Sequence, residues 1–131
     1  MFEKEIQGEL ENFMKKYEEK ANTKQFDLIL PYIDTEAIFW FSDGNFIGYQ
    51  EIRGAFEKTW KNLPEEKYTI SDVQWLTMTD FSATCIYTFT SESKSPKGPV
   101  IFSGRGTNVL AKKSGEWLII HEHLSLKPRE T

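Results

Sequence analysis

The first third of the chain repeats its apolar positions every three or four residues. Phe2, Ile6, Leu10, Phe13, Met14, Tyr17 and Ala21 form one stripe, which predicts an amphipathic helix of about five turns. Asn22 and Thr23 break the stripe. Either suits the cap of a second helix carrying Phe26, Leu28, Ile29, Tyr32 and Ile33, which Pro31 keeps short. Residues 37–41, Ala-Ile-Phe-Trp-Phe, are continuously apolar, too short for a helix, and read as a strand. Ser42-Asp43-Gly44-Asn45 marks a turn, and Phe46-Ile47 begins a short partner strand. Tyr49, Ile52, Phe56, Trp60 and Leu63 return to the helical period until Pro64 stops it.

The second half changes period. Residues 68–79, 82–91, 100–112 and 116–126 are rich in β-branched and aromatic side chains. Thr79-Asp80, the Ser/Pro/Gly-rich stretch 93–99, and Ser114-Gly115 separate them. Four long strands joined this way predict an antiparallel meander, and helices followed by such a sheet predict an α+β fold. The helices must bury their stripes on one face of the sheet, and a strongly bent sheet closed by helices encloses a pocket.

Composition narrows the function classes. The length of 131 residues fits one domain, residues 1–131, and only the end from Lys127 to Thr131 reads as loose. A net charge of −4 with scattered Lys and Arg argues against a nucleic-acid partner, which needs a basic stripe. No apolar stretch approaches the ~20 residues of a membrane span, and the N-terminus lacks the pattern of a signal peptide. The lone Cys85 lies in an apolar run and reads as a buried small hydrophobe. These features together lead to the expectation of a cytoplasmic protein. Aromatics at 15% are enough both to fill a core and to line an apolar cavity.

The final strand sorts by alternation. Trp117, Ile119, His121, His123 and Ser125 point one way, and Leu118, Ile120, Glu122, Leu124 and Leu126 the other. A type I turn with Gly115 in the left-handed bulge position puts Gly106, Asn108 and Leu110 beside the Glu122 face. Arg105, Thr107 and Val109 then go with the histidines; a plain two-residue turn swaps the pairing. On the helix-facing side, Glu122 is expected in an apolar cavity, with a raised pKa and general acid–base capacity. Asn108 or a Tyr hydroxyl would polarise a carbonyl there. The plainer alternative is that Glu122 reaches water or pairs with a Lys or Arg.

The expected pocket wall comprises Phe39, Trp40, Phe41, Trp60, Thr88, Thr90 and Leu124, with Tyr87 and Ile86 as further candidates. His121 and His123 share a face and invite a metal reading, but no third histidine exists, so no metal is expected. They belong instead with Arg105, Val109, Trp117 and Ile119 on an outer face that a second copy of the chain would cover. Arg105 suits an anion or an interface salt bridge. Gly104 and Gly106 suggest a bulge or a tight bend.

The order of three helices, short hairpin and four-strand meander resembles the nuclear-transport-factor-2-like superfamily. Gly104-Arg105-Gly106-Thr107-Asn108-Val109-Leu110, Ser114-Gly115-Glu116-Trp117 and Ile119-Ile120-His121-Glu122-His123-Leu124-Ser125 resemble the C-terminal signature of its SnoaL-like branch. They are also similar to the association domain of calcium/calmodulin-dependent protein kinases. Phe39-Trp40-Phe41-Ser42-Asp43-Gly44 and Ile52-Arg53-Gly54-Ala55-Phe56 resemble the same branch. The resemblance implies a cone of three N-terminal helices on a strongly curved, mostly antiparallel sheet, paired as a homodimer. It transfers no active site. The carboxylate, Tyr and Asp positions of the ketosteroid isomerases fall at about Phe41, Lys16, and Thr107 or Asn108, with Tyr17 and Asp43 as sequence neighbours. The anion-holding arginines of the kinase domains fall at Thr90, Asn108 and Leu124.

Three readings follow. The leading one is a domain that binds a small uncharged organic ligand, with no cofactor. The others are a cofactor-independent isomerase or dehydratase using Glu122, and a homo-oligomerisation module.

Overall fold

The computed structural model describes residues 3–127; residues 1–2, including Phe2 of the expected stripe, and residues 128–131 lie outside that range. Helix α1, Glu3–Ala21, buries Ile6, Leu10, Met14, Tyr17 and Ala21, the expected stripe, with Phe13 half-buried beside them. Glu3 and Glu5 in its first turn and Lys20 in its last complement the helix dipole. Helix α2 is one turn, Phe26–Ile29, and passes into a 3-10 turn at Leu30–Tyr32 containing Pro31.

Ile33 is therefore not helical. It is already extended and opens β1, Ile33–Phe41. Neither Asn22 nor Thr23 is the N-cap of α2, which is Gln25. The Asn22 side chain instead donates to the Tyr68 carbonyl and accepts from the Tyr68 N–H, both at 2.8 Å.

Strand β2, Gly44–Ile47, pairs back on β1, and helix α3, Gly48–Asn62, follows it directly. Tyr49 of α3 donates to the Ile33 carbonyl at 2.9 Å, which ties the helix to β1. The four long strands are β3 (Lys67–Met78), β4 (Ser82–Ser95), β5 (Gly98–Lys113) and β6 (Glu116–Leu126). They make one sheet in the order β2-β1-β6-β5-β4-β3, antiparallel except where β1 runs parallel to β6. The stretch 93–99, read from its composition as a loop, is mostly strand. Only Pro96 and Lys97 turn, with the Ser95 hydroxyl accepting from the Lys97 N–H and donating to the Gly98 carbonyl.

The core fills the space between α1, α3 and the inner sheet face. Alternation on β4 sends Ala83, Cys85, Tyr87, Phe89 and Ser91 inward. On β5 it sends Leu110, Asn108, Gly106 and Gly104 inward. The two glycines carry no bulge, because the β4–β5 register runs unbroken past them. They make room for rings: a Cβ on Gly106 would lie 2.4 Å from the Tyr87 ring, and one on Gly104 2.6 Å from Phe89.

Strand β6 corrects the simple parity rule. The hairpin tip is the plain two-residue turn, Ser114 and Gly115, both with positive φ, so Lys113 faces Glu116. One extra residue, Ile120, then interrupts the ladder between the pairs Leu110–Ile119 and Val109–His121. The bulge flips the faces. Trp117 and Ile119 point inward and are buried, Ile119 completely. Past the bulge, Glu122 and Leu124 point inward, and His121, His123 and Ser125 point outward. The Asn108–Glu122 and Thr107–His123 pairs arise as expected, but through the bulge and not through the turn.

Candidate functional site

A cavity of about 310 Å³ opens between the two long helices and the inner sheet face. Its floor is polar and buried. Tyr17 from α1 and Glu122 from β6 meet there, the Tyr17 hydroxyl donating to Glu122 Oε1 at 2.9 Å. The ring hydroxyl of Tyr87 donates to Asn108 Oδ1 at 2.9 Å and lies 3.4 Å from the same Glu122 oxygen. Phe41, Phe56, Trp60, Tyr68 and Phe89 form the walls. Exposed Asp43 and Asn62 and the solvent-facing side chains of Phe102 and Leu126 stand at the mouth.

The chain builds this floor by coincidence of three periods. Tyr17 is the hydroxyl-bearing member of an otherwise apolar helix stripe. Glu122 points inward because the Ile120 bulge resets the strand. Tyr87 lies flat across β5 because Gly106 has no side chain to obstruct it.

Electrostatics follow from that burial. Glu122 is 1% exposed, and among the described residues no cation forms an ion pair with it. Burial raises its pKa from the usual 4.5 to about 7, against the hydrogen bonds from Tyr17, Asn108 and Tyr87, which favour the carboxylate. Burial, and then the nearby Glu122 charge, pushes Tyr17 and Tyr87 well above 10. Cys85 is likewise pushed by burial to about 12, so its thiol stays protonated.

The expected pocket wall is corrected at several positions. Phe41, Trp60 and Leu124 line the cavity together with Glu122. Phe39 is fully buried behind it, packed edge-on against Phe41 and Phe56. Trp40 belongs to the other face and is 44% exposed, because β1 alternates and the all-aromatic run hides that alternation. Thr88, Thr90 and Ile86 also face outward, since Tyr87, Phe89 and Ser91 take the inward parity of β4. Asn108 is completely buried but does not reach the cavity. Its Oδ1 accepts from Tyr87, and its Nδ2 lies 3.8 Å from Met14 Sδ.

On the outer face, Arg105, Val109, His121 and His123 lie as read, and Trp117 and Ile119 do not. Trp117 donates through Nε1 to Glu9 of α1 at 3.0 Å, under the Lys112 ammonium. Trp40 stands edge-on to His121 and His123, with ring centroids 4.9 and 5.5 Å away, and His121 Nδ1 lies 2.7 Å from the Ile38 carbonyl. Among the described residues, no group of three or more His, Cys, Asp or Glu is gathered as a metal ion would need, and no helix is long and apolar enough to cross a membrane.

Sequence reasoning missed Tyr68, Phe89, Glu66 and Ser91 as lining residues. Tyr68 and Phe89 looked like ordinary strand aromatics. Glu66 stood in an unremarkable polar turn, Pro64-Glu65-Glu66-Lys67, with nothing to mark it as buried.

Comparison places this architecture among known ones. The family model described as SnoaL-like domain matches residues 10–129. A nuclear transport factor 2 (NTF2-like) superfamily protein from Salmonella enterica superposes with a TM-score of 0.87 at 15% identity, over 98% of this chain and 95% of its own. The association domain of C. elegans CaMKII superposes with a TM-score of 0.78 at 16% identity, over 94% of this chain and 97% of its own. A protein with a cystatin-like fold from Caulobacter vibrioides gives 0.79 at 18% identity, over 95% and 91%. At these identities the likeness concerns the fold. No curated protein matches the chain.

Proposed function

Because the chain belongs to the SnoaL-like domain family, matched over residues 10–129, we propose that it binds a small organic molecule in the cavity under α1 and α3. The apolar body of the ligand lies against Phe41, Phe56, Trp60 and Phe89, and a polar group meets Glu122 and Tyr17. The observation that carries this reading is the position of Glu122: a fully buried carboxyl, with no cation paired to it among the described residues, on the floor of an aromatic-walled cavity. Structural carboxyls are seldom kept in such a place, because burial without a counter-ion is costly. A thermal-shift screen of small ketones and aromatic molecules tests it. Saturable stabilisation that weakens in Glu122→Gln supports it. No stabilising compound, together with an unchanged Glu122→Gln protein, sinks it.

A second reading makes the same pair a catalyst. A carboxyl that titrates at about 7 is suited to take and return a proton at neutral pH. Asn108 does not line the cavity, so polarising a carbonyl falls to the Tyr17 hydroxyl. Deuterium exchange into the methyl group of acetophenone, followed by NMR, separates the two readings. Exchange above buffer that disappears in Glu122→Gln makes the protein an enoliser; exchange equal to buffer leaves a binder.

We also propose that a second copy covers the outer sheet face. Ile38 and Trp40 are 40% and 44% exposed there, beside half-buried Val109, Leu118 and Ile120. The interface set is Arg105, Val109, His121 and His123 with Trp40 and Ile38, in the cytoplasm.

A further inference from the structure

Among the described residues, Asp43, Glu66 and Glu122 line the cavity and no Lys, Arg or His does; Asp43, at the mouth, pairs with Lys58 at 3.5 Å. Glu66 differs from Glu122 in origin and surroundings. It comes from the turn between α3 and β3 and is 9% exposed. Among the described residues its carboxylate has one hydrogen-bond partner, the Ser91 hydroxyl, which donates to Oε2 at 2.5 Å. The Lys24 ammonium binds the main-chain carbonyl of the same residue and makes no ion pair with the carboxylate. A carboxylate has about four acceptor positions, so Glu66 keeps unused acceptor capacity on the cavity side.

The same cavity is lined by Phe41, Phe56, Trp60, Tyr68, Phe89 and Phe102. A buried carboxylate with no ion-pair partner among the described residues, in a cavity lined by aromatic rings, is an arrangement that compensates a positive charge. The carboxylate supplies the opposite charge and the acceptors, and the rings supply cation–π attraction. Among the described residues, a ligand carboxylate or phosphate would meet like charge and no cation in the lining.

We propose that Glu66 recognises a protonated amine, and that the pocket takes organic amines with an apolar or aromatic body. This rests on the ligand-binding reading above, and it replaces the uncharged ligand expected from the sequence with a cationic one.

Three probes of similar size test it: 2-phenylethylamine, 2-phenylethanol and 3-phenylpropanoate, titrated by calorimetry at pH 7.5 into the whole chain. The expected order is amine first, by about tenfold over the alcohol, and the carboxylate weakest. Glu66→Gln keeps the side-chain shape and an acceptor for Ser91. It should bring the amine to within about twofold of the alcohol in the same variant. The wild-type series stands without the variant, should that fail to fold. Alcohol binding with no amine preference, or an amine preference that survives in folded Glu66→Gln, overturns the Glu66 assignment and leaves the pocket reading intact. Failure of all three probes to bind overturns the pocket reading and this inference with it.

Discussion

Glu122 gains protons on folding. Its pKa rises from the usual 4.5 to about 7 because burial disfavours the charge. Between those two pH values the folded chain holds a proton that the unfolded chain has released. Stability from this group is thus complete below about pH 4.5 and declines as pH rises towards 7. The loss is on the order of 3 kcal/mol. Glu122→Gln removes that slope, so its melting temperature should exceed that of the wild type at pH 8 and approach it at pH 4. A wild-type advantage at pH 8 would contradict this assignment. Tyr17→Phe removes a donor that favours the carboxylate. The midpoint of Glu122 should therefore move upward in that variant, as read by the pH dependence of its melting temperature; a downward shift would show that Tyr17 does not hold the charged form. At this scale Glu122 was legible, because an acid among Ile, Leu and His on a strand is conspicuous. Glu66 was not, because its burial comes from the path of the chain after Pro64 and from Ser91, which lies 25 residues away.

The elements were readable where periodicity was strong and elusive where one residue reset it. The stripe of α1 and the four long strands follow directly from spacing, as does α3. Ile120 does not: nothing in Leu-Ile-Ile-His marks which residue is the extra one. The bulge moves Trp117 and Ile119 into the core and so removes them from the outer face. The edge of β3 shows a different device. Asn22 satisfies both the N–H and the C=O of Tyr68, and Glu18 accepts from the Ile70 N–H at 2.6 Å, so α1 closes an open strand edge through side chains. Asn22→Ala should cost about 2 kcal/mol, read as a lower denaturant midpoint with unchanged slope. A loss below about 0.5 kcal/mol would show that water substitutes freely there. Gly106→Ala drives a Cβ into the Tyr87 ring. It should cost about 1–3 kcal/mol and disturb the Tyr87–Asn108 bond beneath Glu122.

At the scale of the molecule, the curved sheet separates two surfaces with different chemistry. The inner one is a walled, acidic cavity; the outer one carries Trp40 between two histidines, with Arg105 exposed on the same face. Helices before a meander made the α+β class legible, and the C-terminal motifs made the SnoaL-like family legible. The alternation of β1 was not legible, because Phe39, Trp40 and Phe41 offer no polar residue to mark the outward side. Light scattering should give twice the chain mass, and Trp40→Glu should halve it; a wild-type monomer at high micromolar concentration would rule out the proposed pairing.

The central claim is that a buried carboxyl at the cavity floor changes charge near neutrality. Carbon-13 NMR of the glutamate side-chain carboxyls from pH 4 to 9 measures it directly, with Glu122→Gln giving the assignment. One resonance titrating at about 7 and missing from the variant is the expected result. A spectrum in which every glutamate titrates near 4.5 would contradict it.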